Sequence, residues 1–331
     1  MSKFVFTCGD INGIGPEIVV KTINSISRQS DNKYLFICPE NIFNKTIHKT
    51  KPSFQYEILK NYNNPNPYAV TILDIGNYKA NQGIPTFHSG KASFEAIKLS
   101  FKLAIIKKAD AIITAPISKT AISLANINFP GHTEMLAEWS GIKNYVMMFL
   151  SEKMNAGLLS IHEPIRKIPG LLTKTKLRET LKVILNCLKK DLNLKKPKIA
   201  VLGFNPHAGE GGLIGSEEEE IIKPVIKEFK SHYIYGPFPP DAFFAARKYR
   251  DYNLVLGMYH DQVLIPFKLL NFSSGVNYTA GLDIIRTSPD HGTAYDIAGK
   301  NSADESSMIE AYHYAKKILK NRKRYESVSE K

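Results

Sequence analysis

Short apolar runs alternate with longer amphipathic segments along most of the chain. Runs such as 34–38, 70–73 and 111–114 are too short for helices and rich in aliphatic residues, which predicts buried strands. Residues 89–108 carry alanine and leucine at helical spacing, and residues 177–188 place leucine and isoleucine on one helix face. Strands that alternate with helices predict the α/β class, with a mostly parallel sheet flanked by helices.

Local patterns refine this prediction. Apolar runs 145–150 and 157–161, joined by a short polar segment, predict a hairpin. Thr133 is the predicted N-cap of a short helix. Ser216 and Glu219 have the spacing of a capping box, so the acidic run around them is interpreted as a complement to a helix dipole and not as a metal site.

Length and composition limit the class of protein. A chain of 331 residues is long enough for two domains. No apolar run approaches the roughly 18 residues of a membrane helix, and residues 1–7 turn polar too soon for a signal peptide. The cysteines, Cys8, Cys38 and Cys187, are odd in number and form no CxxC pair, which indicates a reducing, cytoplasmic location.

The formal net charge of +13 raises the alternative of a nucleic-acid-binding protein. The lysines are scattered over predicted helix faces and the C-terminal tail, and no zinc-finger, helix-turn-helix or RNA-binding signature is present. A solvated basic face is the favoured interpretation, so neither nucleic acid nor membrane is an expected partner. Such a surface also attracts a small anionic substrate.

Residues 254–300 gather more reactive side chains than any other part of the chain. The segment opens with an apolar run that predicts a buried strand, and polar groups begin where that strand ends. Desolvating such groups costs free energy unless a partner or ligand satisfies them, so this segment is predicted to form one wall of an active site. The side chains concerned are His260, Asp261, Gln262, Lys268, Asn277 and Arg286.

Three histidines share one sequence context. His162, His207 and His260 each lie at or just past the end of a predicted strand. A single histidine there is usually a satisfied polar residue, but the ends of parallel strands converge on one edge. Three imidazoles with an open fourth position can hold a catalytic divalent metal.

Other polar residues suit an anionic substrate. His132, Lys268 and Arg286 supply positive charge and Asn277 supplies directional hydrogen bonds, a set that fits carboxylate and phosphate. Asp241 follows a proline-rich segment and is either a helix N-cap or a carboxylate facing the site. The identity of the general base stays open among Asp241, Asp261 and a water molecule.

The first strand is followed by a glycine-rich turn, residues 9–15, with Pro16 at the start of a helix. This turn is not the G-x-G-x-x-G of a dinucleotide fold. Two interpretations remain, an anion site at a helix N-terminus and a tight turn that needs glycine for conformational reasons.

Seven short polar and glycine-bearing segments follow one another along the chain. They are GIGPE (13–17), TAPISK (114–119), GHTE (131–134), NPHAGE (205–210), GP followed by D (236–241), YHDQ (259–262) and DHGTA (290–294). Taken in order, these motifs resemble the 4-hydroxythreonine-4-phosphate dehydrogenase family of pyridoxal phosphate biosynthesis, and the resemblance covers nearly the whole chain. The first turn and the segment after residue 290 also resemble the broader isocitrate and isopropylmalate dehydrogenase superfamily.

The resemblance implies a two-domain isocitrate/isopropylmalate dehydrogenase-like fold with the active site in the interdomain cleft. The expected first domain, on the dinucleotide side, combines residues 1–130 and 261–331. The expected second domain, residues 131–260, carries the metal, the substrate and the dimer contact.

The resemblance also implies roles for individual residues. His162, His207 and His260 would hold a divalent metal, with Zn²⁺ expected first and Mg²⁺ or Co²⁺ as alternatives. A homodimer is implied, with the site completed by the second subunit. The implied substrate contacts are His132, Thr133, Lys268, Asn277 and Arg286, and the implied contacts to NAD or NADP are His291, Gly292 and Asp296.

The implied reaction is oxidation of 4-(phosphooxy)-L-threonine at C3, giving a β-keto acid that decarboxylates to 3-amino-2-oxopropyl phosphate. This product feeds pyridoxine 5′-phosphate biosynthesis. A sister dehydrogenase that oxidises 4-phospho-threonate or erythronate phosphates is the alternative, because the motifs do not separate the two substrates.

Overall fold

Two compact units make up the chain in the computed structural model, which describes residues 1–29, 31–62, 68–129, 131–229, 233–271 and 274–329. Unit 1 contains Met1–Ser140 and Asp283–Leu319, and unit 2 contains Gly141–Leu282 and Lys320–Lys331. Among the described residues, no helix combines the length and the apolar character needed to cross a membrane.

The elements follow in chain order. Residues up to 140 form β1 (Lys3–Thr7), α1 (Gly15–Ile26), β2 (Lys33–Ile37), α2 (Glu40–Thr50), β3 (Tyr56–Leu59), β4 (Val70–Leu73), α3 (Phe87–Ile105), β5 (Ala111–Thr114), α4 (Lys119–Leu124) and α5 (His132–Trp139). Next come β6 (Val146–Leu150), β7 (Ala156–Leu158), α6 (Ile168–Leu171), α7 (Lys174–Lys190), β8 (Lys198–Leu202), α8 (Lys223–Glu228), β9 (Tyr233–Phe238), α9 (Pro240–Ala245), β10 (Leu254–Gly257), α10 (His260–Leu270) and β11 (Val276–Ala280). The chain closes with β12 (Arg286–Pro289) and α11 (Ser306–Ser329).

The sheet of unit 1 has the strand order β3-β4-β2-β1-β5-β12, and every neighbouring pair is parallel. The strands β1, β2, β4 and β5 are largely buried runs rich in aliphatic and aromatic residues, as a sheet covered by helices requires. The edge strand β3 is half-buried, and β12 is buried but mostly polar. The helix α3 begins with a capping box. The Thr86 hydroxyl accepts a hydrogen bond from the Ser89 N–H, and the Ser89 hydroxyl accepts one from the Thr86 N–H. Parallel pairing places the carboxyl ends of these strands at one edge, where ligands bind in such sheets.

The sheet of unit 2 has the order β11-β6-β7-β10-β8-β9. The pairs β11–β6 and β6–β7 are antiparallel, which confirms the hairpin, and β7, β10, β8 and β9 run parallel. The apolar core on this sheet includes Phe149 and Phe267, whose ring centroids are 5.6 Å apart. The parallel half again collects strand ends at one edge.

The expected domain boundaries, at residues 130 and 260, stay a prediction. The two compact units of the structure divide after Ser140 and after Leu282. The helix α5 belongs to unit 1 because Trp139 packs edge-on against Phe94, 5.7 Å between centroids. The helix α10 belongs to unit 2 because Phe267 is part of its core.

Both predicted caps are wrong. The helix α5 begins at His132 with Gly131 as its N-cap, and Thr133 is buried within the first turn. After Ser216 the chain enters a π-helix, Glu218–Ile222, with no capping hydrogen bond from a side chain. Glu219 instead pairs with Lys223, four residues along. In both places the tertiary environment outweighs a weak local preference.

A buried ionic network anchors the end of α11 in unit 2. The Arg322 Nε donates to Asp191 Oδ1 at 2.7 Å, and the Tyr278 hydroxyl donates to Asp191 Oδ2 at 2.5 Å. Arg322 also donates to the Leu282 carbonyl at 3.1 Å. All three side chains of the network are buried, so each charged oxygen of Asp191 depends on these partners.

We therefore expect Arg322→Ala to lower the free energy of unfolding by about 3–5 kcal/mol, because it leaves the Asp191 carboxylate buried without its cation. Urea denaturation followed by circular dichroism measures the change. Arg324→Ala, at an exposed position of the same helix, is the control and should stay within about 0.5 kcal/mol of the parent. Equal effects of the two variants would contradict a structural role for the network.

Candidate active site

Three adjacent parallel strands of unit 2, β7, β10 and β8, are tied together where they end. The Ser160 hydroxyl donates to the Met258 carbonyl at 2.7 Å. The Gln262 amide accepts from the Met258 N–H at 2.7 Å and donates to the Gly203 carbonyl at 2.6 Å. We call Ser160, Met258, Gln262 and Gly203 the strand-end frame. It fixes the points from which the chain continues to His162, His207 and His260.

His162 and His260 face each other in unit 2, with ring centroids 6.2 Å apart. The His260 Nδ1 lies 2.6 Å from Asp261 Oδ1. A neutral imidazole that donates from Nδ1 to this carboxylate keeps its Nε2 lone pair available as a metal ligand. Two imidazoles at this separation, one oriented by a carboxylate, fit a divalent metal.

His207 lies on an exposed loop, the helical turn Pro206–Gly212, whose residues 207–211 all have positive φ. Among the residues that the structure describes, no three His, Cys, Asp or Glu side chains form a group able to hold a metal. The structure thus brings His162 and His260 together and does not add His207 to them. The assignment of the three histidines to one metal stays a prediction.

The remaining predicted residues of unit 2 occupy two elements. Lys268 is exposed in the last turn of α10, and Asn277 is half-buried on β11 opposite Phe149. Asp241 lies exposed in the first turn of α9 behind the N-cap Pro239, so the N-cap interpretation is wrong. Asp241 and Asp261 line one cavity of about 440 Å³.

In unit 1, β12 begins with a buried arginine. Arg286 is only 2% exposed, and its Nε and Nη2 donate to the Thr114 hydroxyl at the end of β5, at 3.0 and 2.8 Å. Burial lowers the pKa of Arg286 to about 9, and the negative charge of Glu134 opposes that shift. The guanidinium is still cationic at neutral pH.

His132 shares this environment at the start of α5. Burial lowers the pKa of His132 well below its ordinary value, and the positive charge of Arg286 lowers it further. The ring is therefore neutral at pH 7. Its buried Nε2 has no hydrogen-bond partner among the described residues, an arrangement that costs free energy unless a ligand supplies one. Beside it, Thr133 is buried.

The glycine-rich turn after β1 packs against the segment that carries the predicted dinucleotide contacts. The Ile14 N–H donates to the Thr293 carbonyl at 3.0 Å, and a Cβ at Gly13 would lie 2.6 Å from that same oxygen. The Tyr295 hydroxyl donates to Asp10 Oδ2 at 2.8 Å. Burial of this carboxyl raises the pKa of Asp10. Glycine is thus needed at position 13 for close approach, and Gly9, with φ 62°, has the positive φ of the tight-turn interpretation.

The predicted dinucleotide residues all lie in this segment of unit 1. The His291 Nδ1 is 3.1 Å from the Gly292 carbonyl, and its buried Nε2 lacks a hydrogen-bond partner within the described part of the chain. Gly292 and Asp296 are exposed. An unpartnered imidazole nitrogen beside exposed backbone fits a polar ligand such as a dinucleotide.

Known proteins match this chain over nearly its whole length. The sequence model of the family described as pyridoxal phosphate biosynthetic protein PdxA matches residues 30–315. A 4-hydroxythreonine-4-phosphate dehydrogenase of Sulfurihydrogenibium sp. is 38% identical over 325 residues, 98% of this chain and 100% of that relative. The chain belongs to the PdxA family. The expectation of a dehydrogenase-class enzyme of this family is confirmed.

Solved structures agree with this membership in the PdxA family. The crystal structure of 4-hydroxythreonine-4-phosphate dehydrogenase from Klebsiella pneumoniae has a TM-score of 0.82 and 32% identity, covering 96% of this chain and 100% of that one. Isocitrate dehydrogenase from Methylococcus capsulatus, at TM-score 0.51 and 12% identity over 100% of this chain and 89% of that one, shares the fold alone. The predicted fold class is confirmed.

The contacts of several residues near the candidate site of this PdxA family member are not predictable from the sequence alone. Ser160 and Glu218 gave no signal, because an isolated serine and a member of an acidic run resemble surface residues. Gln262 lies inside the YHDQ motif, but its role in the strand-end frame depends on contacts with distant segments. The bond between Asp10 and Tyr295 joins residues 285 positions apart.

The pKa of His132 predicts a pH dependence of stability for this PdxA family member. The folded-state pKa lies well below the unfolded value of about 6.5, so below pH 6.5 only the unfolded chain binds the proton. Stability should fall as pH drops from 7 to 5, by up to about 1.4 kcal/mol per pH unit from this group. His132→Gln should flatten the slope in urea titrations, whereas the exposed His48→Gln should not. Parallel slopes in all three proteins would exclude this role for His132.

Proposed function

We propose that the protein oxidises 4-(phosphooxy)-L-threonine at C3, with NAD or NADP as the hydride acceptor and a divalent metal bound. The product is a β-keto acid that loses carbon dioxide to give 3-amino-2-oxopropyl phosphate, a precursor of pyridoxine 5′-phosphate. The observation that carries the proposal is the facing pair of His162 and His260, oriented by Asp261, in a chain of the PdxA family.

His162, His207 and His260 would hold the metal, with Zn²⁺ expected first and Mg²⁺ or Co²⁺ as alternatives. Bound there, the metal would lower the pKa of the substrate hydroxyl and polarise the resulting ketone. The contribution of the protein is orientation. Asp261 fixes the tautomer of His260, and the strand-end frame holds the points from which the histidine segments leave the sheet.

Arg286, His132, Thr133, Lys268 and Asn277 would bind the anionic groups of the substrate. Arg286 is held through two donors by Thr114, so its guanidinium is oriented before a ligand arrives. The neutral ring of His132 offers its Nε2, which has no partner in the described part of the chain, for a hydrogen bond without adding charge. These contacts would turn C3 of the substrate toward the nicotinamide.

The dinucleotide would bind at the segment that carries His291, Gly292 and Asp296. The nicotinamide supplies the hydride-accepting chemistry, and the segment supplies position. Its attachment to the glycine-rich turn through Ile14 and to Asp10 through Tyr295 gives a fixed platform. The Nε2 of His291, which none of the described residues engages in a hydrogen bond, would contact the ligand.

The general base is Asp241, Asp261 or a water molecule. Asp261 is engaged with His260 at 2.6 Å, which suits a role in orienting that ring. Asp241 lines the same cavity with its carboxylate exposed, so it can hold or move a proton directly or through water. This geometry favours Asp241 or a water over Asp261.

A homodimer with shared sites accounts for the position of His207. Its loop is exposed and, within the described residues, does not complete a three-donor group with His162 and His260. In a twofold dimer the same loop of each protomer can reach the site of the other. We therefore propose that His162 and His260 of one copy and His207 of a second copy form each metal site.

Substrate profiling tests the reaction. NADH or NADPH formation, followed by absorbance, should require both the nucleotide and 4-(phosphooxy)-L-threonine, and it should be lost after chelation and restored by Zn²⁺, Mg²⁺ or Co²⁺. The control is 4-phospho-threonate, which lacks the amino group. Higher kcat/KM with 4-phospho-threonate or erythronate phosphate would assign the sister activity to the protein. Turnover unaffected by chelation would contradict a role for the metal.

Mixing two inactive variants tests the shared site. His207→Ala and His260→Ala homodimers should both be inactive, but a mixed dimer contains one site with all three histidines. After denaturation and refolding of an equal mixture, roughly a quarter of the parent activity should return, since half of the dimers are mixed and each has one intact site.

The control mixes His162→Ala with His260→Ala. The proposal takes both of these histidines of a site from the same protomer, so every site of a mixed dimer lacks one of them and no activity should return. If all three ligands came from one protomer, the first mixture would stay as inactive as the control. Elemental analysis of the same samples gives the metal content independently of turnover.

A further inference from the structure

Glu218 is fully buried in unit 2, although it belongs to an acidic run on the sequence. Its Oε1 accepts hydrogen bonds from the backbone N–H groups of Phe204 and Asn205, both at 2.7 Å. Its Oε2 accepts from the Asn205 side-chain amide at 2.9 Å. A carboxylate with three such donors is far better satisfied than a helix-surface glutamate, so its burial is specific.

These contacts all fall on the loop that leads to His207. The Ala208 N–H donates to the Asn205 carbonyl at 3.1 Å, which turns the chain immediately around His207. His207 itself has φ 53°, a left-handed conformation that is uncommon for residues with a Cβ, and the four residues after it also have positive φ. Glu218 therefore holds the start of a backbone turn that local preference alone would not keep.

The backbone of this loop packs closely around Glu218 and Asn205. A Cβ at Gly209 would lie 2.7 Å from Glu218 Oε2, and one at Gly203 would lie 2.9 Å from the Ala208 Cα. At Gly215 a Cβ would lie 2.4 Å from the Asn205 Nδ2. Glycine at each position lets the loop close on the carboxylate. The π-helix Glu218–Ile222, a rare local form, presents the side chain to it.

We propose that Glu218 is a positioning residue for His207: it touches neither substrate nor metal, and it sets where the His207 imidazole is presented. This inference rests on the proposed function, because it assumes that His207 is a metal ligand. A purely structural role is the alternative, in which Glu218 stabilises the fold and leaves the metal site of the folded protein unchanged.

Glu218→Gln separates these roles while keeping the size of the side chain. The amide oxygen can still accept from the two backbone N–H groups, but the new NH₂ faces the Asn205 NH₂, donor against donor. The Co²⁺ affinity of the apo-protein, measured by titration of the visible absorption, should fall roughly tenfold to a hundredfold. The melting temperature is measured on the same preparation.

Glu219→Gln is the matched control, because Glu219 is one residue along and forms an exposed pair with Lys223. It should leave Co²⁺ affinity unchanged. A double-mutant cycle gives the sharper test, since an effect that acts through His207 should vanish in a His207→Ala background. An affinity loss that persists without His207 would overturn the proposal.

The outcomes separate this inference from the proposed function. If the parent binds Co²⁺ and Glu218→Gln binds it equally well with a lower melting temperature, Glu218 is structural and only this inference fails. If the parent shows no Co²⁺ binding that depends on His162 or His260, the proposed metal site fails with it. Should Glu218→Gln not fold, it is replaced by Asn205→Ala, which removes the side-chain donor to Glu218 and to Glu217. Unchanged Co²⁺ affinity in that variant overturns the proposal.

Discussion

The two hydrogen bonds of Gln262 are the interaction on which the candidate metal site of unit 2 depends. They join the end of β10, through the Met258 N–H, to the end of β8, through the Gly203 carbonyl. Ser160 extends the connection to the end of β7. Each bond is made by a buried side chain to a backbone group, so replacing any partner leaves an unsatisfied polar atom. Because these bonds hold the three strand ends together, the chain can carry reactive residues directly after each strand.

Beyond this frame, two of the three histidines, His260 and His207, each have a carboxylate that acts on their position. Asp261 lies next to His260 in sequence and orients its ring, whereas Glu218 holds the loop that carries His207 from eleven residues away. Both carboxylates act on geometry before any ligand is present. In metal sites generally, the groups that hydrogen-bond to the ligands decide their direction and basicity, and the roles proposed for Asp261 and Glu218 are of this kind.

In unit 1, burial sets the charge states of the candidate site residues, whereas in unit 2 hydrogen bonds hold the candidate residues in place. Arg286 and His132 are removed from water close to one another, so the ring stays neutral while the guanidinium stays charged. Glu134 places a negative charge near Arg286, whereas the His132 Nε2 has no hydrogen-bond partner among the described residues. A ligand that hydrogen-bonds to this nitrogen would remove the cost of leaving it unsatisfied.

The sequence by itself determined the α/β class, the parallel strands, the hairpin of β6 and β7 and the family, because hydrophobic period and ordered motifs are local properties. It also marked His260, Asp261 and Arg286 as site candidates, since polar groups beside buried strands need partners. Only the tertiary structure decided which donors meet. The capping box at Ser216 is wrong because Glu218 binds a loop folded back onto it, a contact that outweighs the capping preference on which a local prediction rests. The N-cap at Thr133 is wrong for a reason that local sequence also does not show: Gly131 begins α5, and tertiary packing buries Thr133 in the first turn.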